Sequence, residues 1–477
     1  MHKICPTLLC FCCWLTVHAQ DANYWSAAYN PAGFLTPGSA VAFTGDSGVL
    51  YFNPALLAYN TKNSATISGS VYQYNTLKIK NGAGEGLPLR SSNVSVIPVM
   101  ASGILSIQGK KKFTIGYALV HNPVIATQFT QQLDKKLNVL NDSYSPGAEA
   151  FLAQYSGQNI INETSGILST GFNLTSHFAF GLSAEVQYRV QHMEENYSAR
   201  AFINNNTVSG LPPLSNVETQ YEISHYNVGI KFRAGFAYDN GPHHVGLTIT
   251  SPLAKIKGSG QLLSDNVVTD LRAASNDTLN FLASTRQTGV KEKWRMPLSF
   301  AGGYVYQAGW GQFYFSTEYF LPVKEYDFIT PRAADFIRTN TDTNVSAAGF
   351  LTFRDARRSV LNVGLGFSYL LKPDVTAFLA LRTDFSYADS ARYSDPDSYT
   401  ANSSHFDIYH LQIGGNIKKR KFNLRAGLLL DYGHTNKFPQ SVDMPTANED
   451  DILLGNVHRV PATYFSIGIM FAYIHNL

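Results

Sequence analysis

The sequence predicts an all-β protein, a 14-stranded antiparallel transmembrane β-barrel with an N-terminal plug in its lumen. Three observations carry this. From about residue 64 to the end, fourteen segments alternate apolar and polar residues with period two. The connections between them are short and long by turns, the pattern of barrels with tight turns at one rim and long loops at the other. Beyond the N-terminus no stretch reaches the ~18 apolar residues of a membrane helix.

The chain divides into residues 1–19, a signal peptide, residues 20–60, the plug, and residues 61–477, the barrel. The opening MHKICPTLLCFCCWLTVHAQ has a basic residue at Lys3, an apolar run from Ile4 to Val17 and a cleavage site at Val17-His18-Ala19. A run of about 14 apolar residues is too short to span a bilayer as a helix. All four cysteines, Cys5, Cys10, Cys12 and Cys13, lie inside it, so the mature chain would carry no disulfide, no Cys-ligated metal and no Cys nucleophile. Lipid attachment at a cysteine wants a small residue just before it, and Leu9, Phe11 and Cys12 stand there instead.

The strand segments fall near residues 64–80, 90–108, 112–130, 162–176, 178–197, 217–238, 243–258, 286–307, 311–326, 357–371, 374–389, 404–417, 421–434 and 461–475. In the fifth, Phe178, Phe180, Leu182, Val186 and Tyr188 share one face, and Gly181, Ser183, Glu185, Gln187 and Arg189 the other. In the sixth, Val228, Ile230, Phe232 and Phe236 oppose Asn227, Lys231 and Arg233. The thirteenth sets Leu424, Leu428, Leu430 and Tyr432 against Asn423, Arg425 and Asp431. Parity alone does not say which face is inside. Tight connections follow every second strand, among them Gly109-Lys110-Lys111, Asn240-Gly241-Pro242 and Lys372-Pro373, while the others run from about 10 to about 30 residues. An even strand number puts both chain ends at the tight-turn rim. Tyrosines near strand ends, such as Tyr238, Tyr306 and Tyr369, suit interfacial girdles.

Fourteen strands enclose more room than wall side chains fill, since about eight already reach that limit, so the lumen needs an occupant. Residues 38–59, GSAVAFTGDSGVLYFNPALLAY, are too small and Gly-rich to build a core of their own and suit that place. Pro54 fixes its own φ and restricts Asn53, whose side chain can hold a turn by bonding to the backbone. The third strand carries Asn122-Pro123 near its middle, and a proline cannot donate to the ladder.

In the plug motif Asn53, Pro54, Ala55 and Leu56, and in the strand architecture, the chain resembles the FadL-type outer-membrane family, which carries long-chain fatty acids and other hydrophobic compounds. A second Asn-Pro-Ala copy, at Asn30-Pro31-Ala32, has no counterpart there. The final strand ends in Leu477 where an insertion signal of this kind has an aromatic residue. The resemblance implies a bacterial outer-membrane location, contact with outer-membrane lipids, and passive passage of a hydrophobic small molecule such as a long-chain fatty acid. It implies that Asn122 and Pro123 mark an inward kink opening the wall sideways. It also implies a basic residue at the ligand head group, for which Arg189 is the first candidate and Lys231 and Arg233 the others.

Residues 131–162 show apolar positions at helical spacing, Leu133, Leu137 and Leu140, then Phe151, Leu152 and Tyr155, around a break at Ser145-Pro146-Gly147. This predicts a helical lid whose Phe151, Leu152 and Tyr155 form an outer groove. Charge at the lumen is expected because a cation facing lipid at mid-membrane costs about 2 to 4 kcal/mol. Against other functions, the 13 histidines lack zinc-site spacing, no phosphate loop or dinucleotide fingerprint occurs, and a net charge of +3 without a basic stripe does not suit nucleic acid. The expectation is a protein without cofactor, metal or catalytic site. A different class stays open, a non-transporting partner barrel of a protein secretion or assembly complex, to which the long polar connections at residues 330–357 and 433–460 would suit protein docking.

Overall fold

A closed sheet gives every strand two neighbours and so leaves no backbone edge facing lipid, which is the condition a membrane imposes on strands. The structure, a computed structural model, describes residues 22–25, 39–43, 49–59, 63–107, 113–204, 212–272, 278–338, 345–394 and 406–476. The expected signal peptide, the second Asn-Pro-Ala copy and the turn Gly109-Lys110-Lys111 lie outside these residues.

The barrel closes with 14 antiparallel strands. They are β1 (Ser64–Ile79), β2 (Leu89–Ile107), β3 (Phe113–Leu137), β4 (Glu149–Asn173), β5 (Phe178–Phe202), β6 (Leu214–Asn240) and β7 (His243–Thr250). There follow β8 (Ser299–Ala308), β9 (Gly311–Phe320), β10 (Val360–Lys372), β11 (Val375–Asp384), β12 (Asp407–Lys418), β13 (Phe422–Pro439) and β14 (Arg459–Asn476). The last pairs with the first from Ser64↔Asn476 to Ile79↔Ala462, closing the ring. Tight turns join β4 to β5, β6 to β7, β8 to β9, β10 to β11 and β12 to β13. In the β6–β7 turn Gly241 takes φ +61°, open to glycine without strain.

Which face is inside is decided here. Leu182, Val186, Tyr188, Phe232, Phe236, Leu428 and Tyr432 are exposed on the outer wall, whereas Glu185, Gln187, Arg189, Asn227, Lys231 and Asp431 are buried in the lumen. This inverts the arrangement of a soluble sandwich and makes the outer surface a lipid-facing belt. The belt ends partway up. On β5 the outward residues change from Val186, Tyr188 and Val190 to His192, Glu194, Asn196 and Ser198, and on β6 from Phe232 and Val228 to Glu222, Gln220 and Glu218. These two strands have 25 and 27 residues, against about 9 to 11 needed to cross, so their upper parts stand clear of the bilayer.

The loop end differs from expectation. The segment near 131–162 is not a helical lid: β3 and β4 run on as one hairpin, paired out to Leu137↔Glu149. Leu133, Phe151 and Tyr155 are odd-numbered positions on one strand face as well as helically spaced ones, and cross-strand pairing of every residue decides for the strand. At the tip Glu149 accepts from Val139 N at 2.9 Å and from Ser145 Oγ at 2.6 Å.

Strand β7 also stops early, at Thr250, with Ser251-Pro252 following. The chain then climbs as a strand over Ala254–Arg272 that pairs with the upper part of β6, and returns over Thr278–Glu292. The eighth expected segment, 286–307, is thus the end of this hairpin plus β8. The connection at 330–357 is no bare loop either. Short strands at Val323–Thr330, Asp335–Arg338 and Phe353–Arg357 form a second layer around buried Trp294, Phe328, Phe336 and Phe353.

Candidate passage through the barrel

At the tight-turn end of the lumen a short 3-10 helix, Pro54–Tyr59, is set against the lower parts of β4, β5 and β6. Asn53, fully buried, enters it. Its Nδ2 donates to Val41 O at 2.6 Å and to Phe236 O at 3.1 Å, while its Oδ1 accepts from Ala55 N at 3.0 Å. One amide therefore ties the segments at Val41 and at Asn53 to the wall strand β6. Tyr59 Oη donates to His177 O at 3.0 Å, beside the β4–β5 turn. The wall makes room with glycine: a Cβ at Gly181 would lie 2.3 Å from the Pro54 carbonyl carbon, and one at Gly235 would lie 2.1 Å from Asn53 Oδ1. Leu56 is buried in the same small core.

Higher in the lumen, residues 22–25 cross to β11. Tyr24 N and Trp25 N donate to Asp384 Oδ1 at 3.1 and 2.8 Å, Asn23 Nδ2 to Asp384 O at 2.7 Å, and Trp25 Nε1 to Glu318 Oε2 at 2.8 Å. Tyr24 stacks on Phe320 at 4.1 Å. Between this segment and the plug is a cavity of about 100 Å³, lined by Trp25, Tyr51, Phe52, Lys231, Arg233 and Glu318 among others.

Several inward charges are paired. Arg189 bonds Glu163, and its guanidinium lies 3.8 Å from the centroid of Trp294, whose ring also receives Arg357 at 4.3 Å. Lys231 Nζ stands 3.0 Å from Glu185 Oε1, and Arg233 reaches Glu185 at 4.0 Å, Thr250 Oγ1 at 3.0 Å and Tyr51 O. His410 is held between Asp431 at 2.5 Å and Asp384 at 3.9 Å. The expectation that charges point inward holds, and at Arg189, the first head-group candidate, a carboxylate and an indole lie against the guanidinium.

The wall itself is incomplete between β2 and β3. Their ladder runs from Ile107↔Phe113 to Met100↔Val120 and stops, whereas β1–β2 continues to Ile79↔Leu89 and β3–β4 to Leu137↔Glu149. Above Val120 comes Asn122, buried, then Pro123, where the β3–β4 register slips by one residue before Ile125. Across the seam β2 slips against β1 between Met100 and Pro98. Two prolines without N–H groups thus stand in sequence where two strands part, each beside a register shift. Higher up, among the described residues, side chains lace the seam: Asn93 Nδ2 donates to Ala126 O at 2.6 Å, Gln128 N to Ser91 Oγ at 3.0 Å and Gln131 Nε2 to Pro88 O at 3.0 Å. Leu119 and Val94, on the lipid-facing side, are 58% and 54% exposed. The sequence reading found Asn122 and Pro123 but overlooked Pro98, whose signal was a second proline at matching height on the preceding strand.

No protein-family model matches this sequence, and no curated protein does. Solved structures do. A Pseudomonas aeruginosa FadL homologue superposes with a TM-score of 0.56 over 96% of this chain and 99% of its own, at 14% identity. The chain has the FadL-type fold. The Pseudomonas putida toluene transporter TodX gives 0.54 over 97% and 100% at 14% identity, and the Ralstonia pickettii toluene transporter TbuX 0.54 over 95% and 99% at 12%. The superposition covers nearly the full length of both chains in each case, although so few residues are shared.

Of the residues expected to form an outer groove, Phe151 and Tyr155 point inward into the core at the loop end, and Leu152 alternates to the other face of β4. The three do not form one groove, because a strand separates neighbours that a helix would have brought together.

Proposed function

We propose that this protein is a passive channel of the bacterial outer membrane that admits hydrophobic small molecules and releases them sideways through the β2–β3 seam. The observation that carries the reading is the wall break itself: two adjacent strands lose their ladder at lipid-facing height while each keeps its other partner. Below it the plug and the paired charges bar a straight path for water-soluble solutes. The relatives in fold include transporters of toluene by name.

Uncharged hydrophobic compounds suit the lumen better than fatty acid anions. Arg189, Lys231 and Arg233, the head-group candidates, already hold Glu163 or Glu185, so a ligand carboxylate would have to displace one of these to bind them. Long-chain fatty acids remain within the proposal as molecules carried chiefly by their tails.

The test closes the seam. The mature chain would have no cysteine, and Asn93→Cys with Ala126→Cys places a pair where Asn93 already touches β3. Oxidation in proteoliposomes should abolish uptake of toluene or of a fluorescent fatty acid, and reductant should restore it. Undiminished uptake through a cross-linked seam would show that passage does not use it.

A further inference from the structure

Above the lipid-facing belt, behind the upper seam, lies a second cavity of about 80 Å³. Its walls are largely apolar, with Leu77 from β1, Leu89 from β2, Ile125 and Phe129 from β3, Met193 from β5 and Phe438 from β13, and they include the polar Thr127, Gln158 and Asn159. Leu89 belongs to one edge of the seam and Ile125 and Phe129 to the other, so the cavity adjoins the gap.

Its polar end is a small cluster. Tyr155 Oη donates to Glu195 Oε1 at 3.2 Å and stands 3.3 Å from Ser441 Oγ. Glu195 Oε2 is shielded from solvent and accepts no hydrogen bond among the described residues. Among the described residues no cation acts on this carboxyl, and burial pushes it up to about 7, with the Tyr155 and Ser441 hydroxyls pulling the other way. A buried acceptor atom left over at the end of an apolar cavity is complementary to a donor on an apolar body, and an anion would meet carboxylate oxygens there instead of a cation.

We propose that this cavity binds an apolar molecule bearing one uncharged hydroxyl group, which donates to Glu195 Oε2 while the apolar body lies along Leu89, Ile125 and Phe129 toward the seam. The site deepens the passage reading and rests on it, because the seam gives the molecule its way in or out. Tyr155 positions the carboxyl by holding Oε1, leaving Oε2 for the ligand. Alcohols, phenols and protonated carboxylic acids share the required hydroxyl.

The test compares octane, 1-octanol and octanoate on the whole mature chain in lipid nanodiscs, with bound ligand measured by gas chromatography after subtraction of empty nanodiscs. At pH 8 the wild type should bind 1-octanol at least fivefold more tightly than octane, and octanoate no better than octane. Glu195→Leu should bind octanol and octane equally. Because the readout is a ratio within each variant, partial misfolding does not distort it, and heat-modified gel mobility confirms the barrel. Octanoic acid at pH 4 bound as tightly as octanol would add acids to the ligands, and weaker binding would restrict the site to alcohols and phenols. Equal binding of octanol and octane by the wild type, or a preference that survives Glu195→Leu, would overturn the site while leaving the passage reading in place. Binding of neither octane nor octanol would overturn both.

Discussion

Asn53 Nδ2 stands 3.1 Å from the carbonyl oxygen of Phe236, a strand residue 183 positions later, and 2.6 Å from that of Val41. A single side-chain amide thus joins plug to wall with both of its donor hydrogens. Asn53→Ala leaves two carbonyls without this donor, at a cost of about 1 to 3 kcal/mol for each buried group. Asn53→Asp keeps an oxygen for Ala55 N but has no donor, so it should behave like the alanine variant. Both should raise single-channel ion conductance in planar bilayers toward that of a barrel lacking residues 22–59, and an aspartate variant with wild-type conductance would contradict the donor role.

Gly181 and Gly235 seat the same element. The atoms that an added Cβ would meet at Gly181 are backbone atoms of Pro54 and Ala55, which cannot swing aside as a long side chain does. Gly181→Ala should therefore cost about 1 to 3 kcal/mol by overpacking and lift the 3-10 helix from its seat. Gly166→Ala on β4 is the control, since nothing lies within 4 Å of that position. Protease cleavage of the plug should accelerate in the first variant and stay at the wild-type rate in the second.

Arg189 and Glu163 answer each other inside the lumen, with Glu163 partly open to solvent. Arg189→Ala strands a carboxylate and exposes one face of Trp294, and should destabilise the barrel by about 2 kcal/mol. Glu163→Gln in the same chain should recover much of that loss, as thermal unfolding read by gel mobility would show. A lone Arg189→Ala variant with unchanged stability and selective loss of fatty acid uptake would instead return Arg189 to the head-group role.

Glu195 gives a pH signature. Burial raises its carboxyl from 4.5 to about 7, so the folded chain holds the proton more tightly than the unfolded one. Stability from this group is full below pH 4.5, falls as pH rises toward 7, and is flat above. The difference amounts to at most roughly 3 kcal/mol. Glu195→Gln should thus match the wild type at pH 4 and unfold at higher temperature at pH 8, and parallel unfolding curves for the two across that range would mean that the carboxyl is not desolvated.

Much of the barrel was legible because a strand's period is fixed by the backbone: odd and even residues must face opposite ways, so Leu182 and Glu185 betray their faces in any sequence. The plug motif was legible because Asn-Pro restricts its own backbone whatever surrounds it. Where the reading failed, two periods fitted the same residues. Leu133, Phe151 and Tyr155 satisfy helix and strand alike, and only the partner strand, pairing Leu133 with Ala153 and Gln131 with Tyr155, chose between them.

By itself the sequence determined the number of crossing strands and the rim at which they turn, and it marked Asn53-Pro54 and Asn122-Pro123 as places of restricted backbone, since each follows from local alternation or from a proline's fixed φ and missing N–H. Tertiary structure decided which face meets lipid, which carboxylate neutralises Arg189, and that β2 and β3 part beside Pro98 and Pro123, because these depend on atoms brought together from distant parts of the chain. Glu195 shows the division most plainly: as a residue it is one glutamate on a strand, and its unanswered oxygen exists only where Tyr155 and Ser441 close around it.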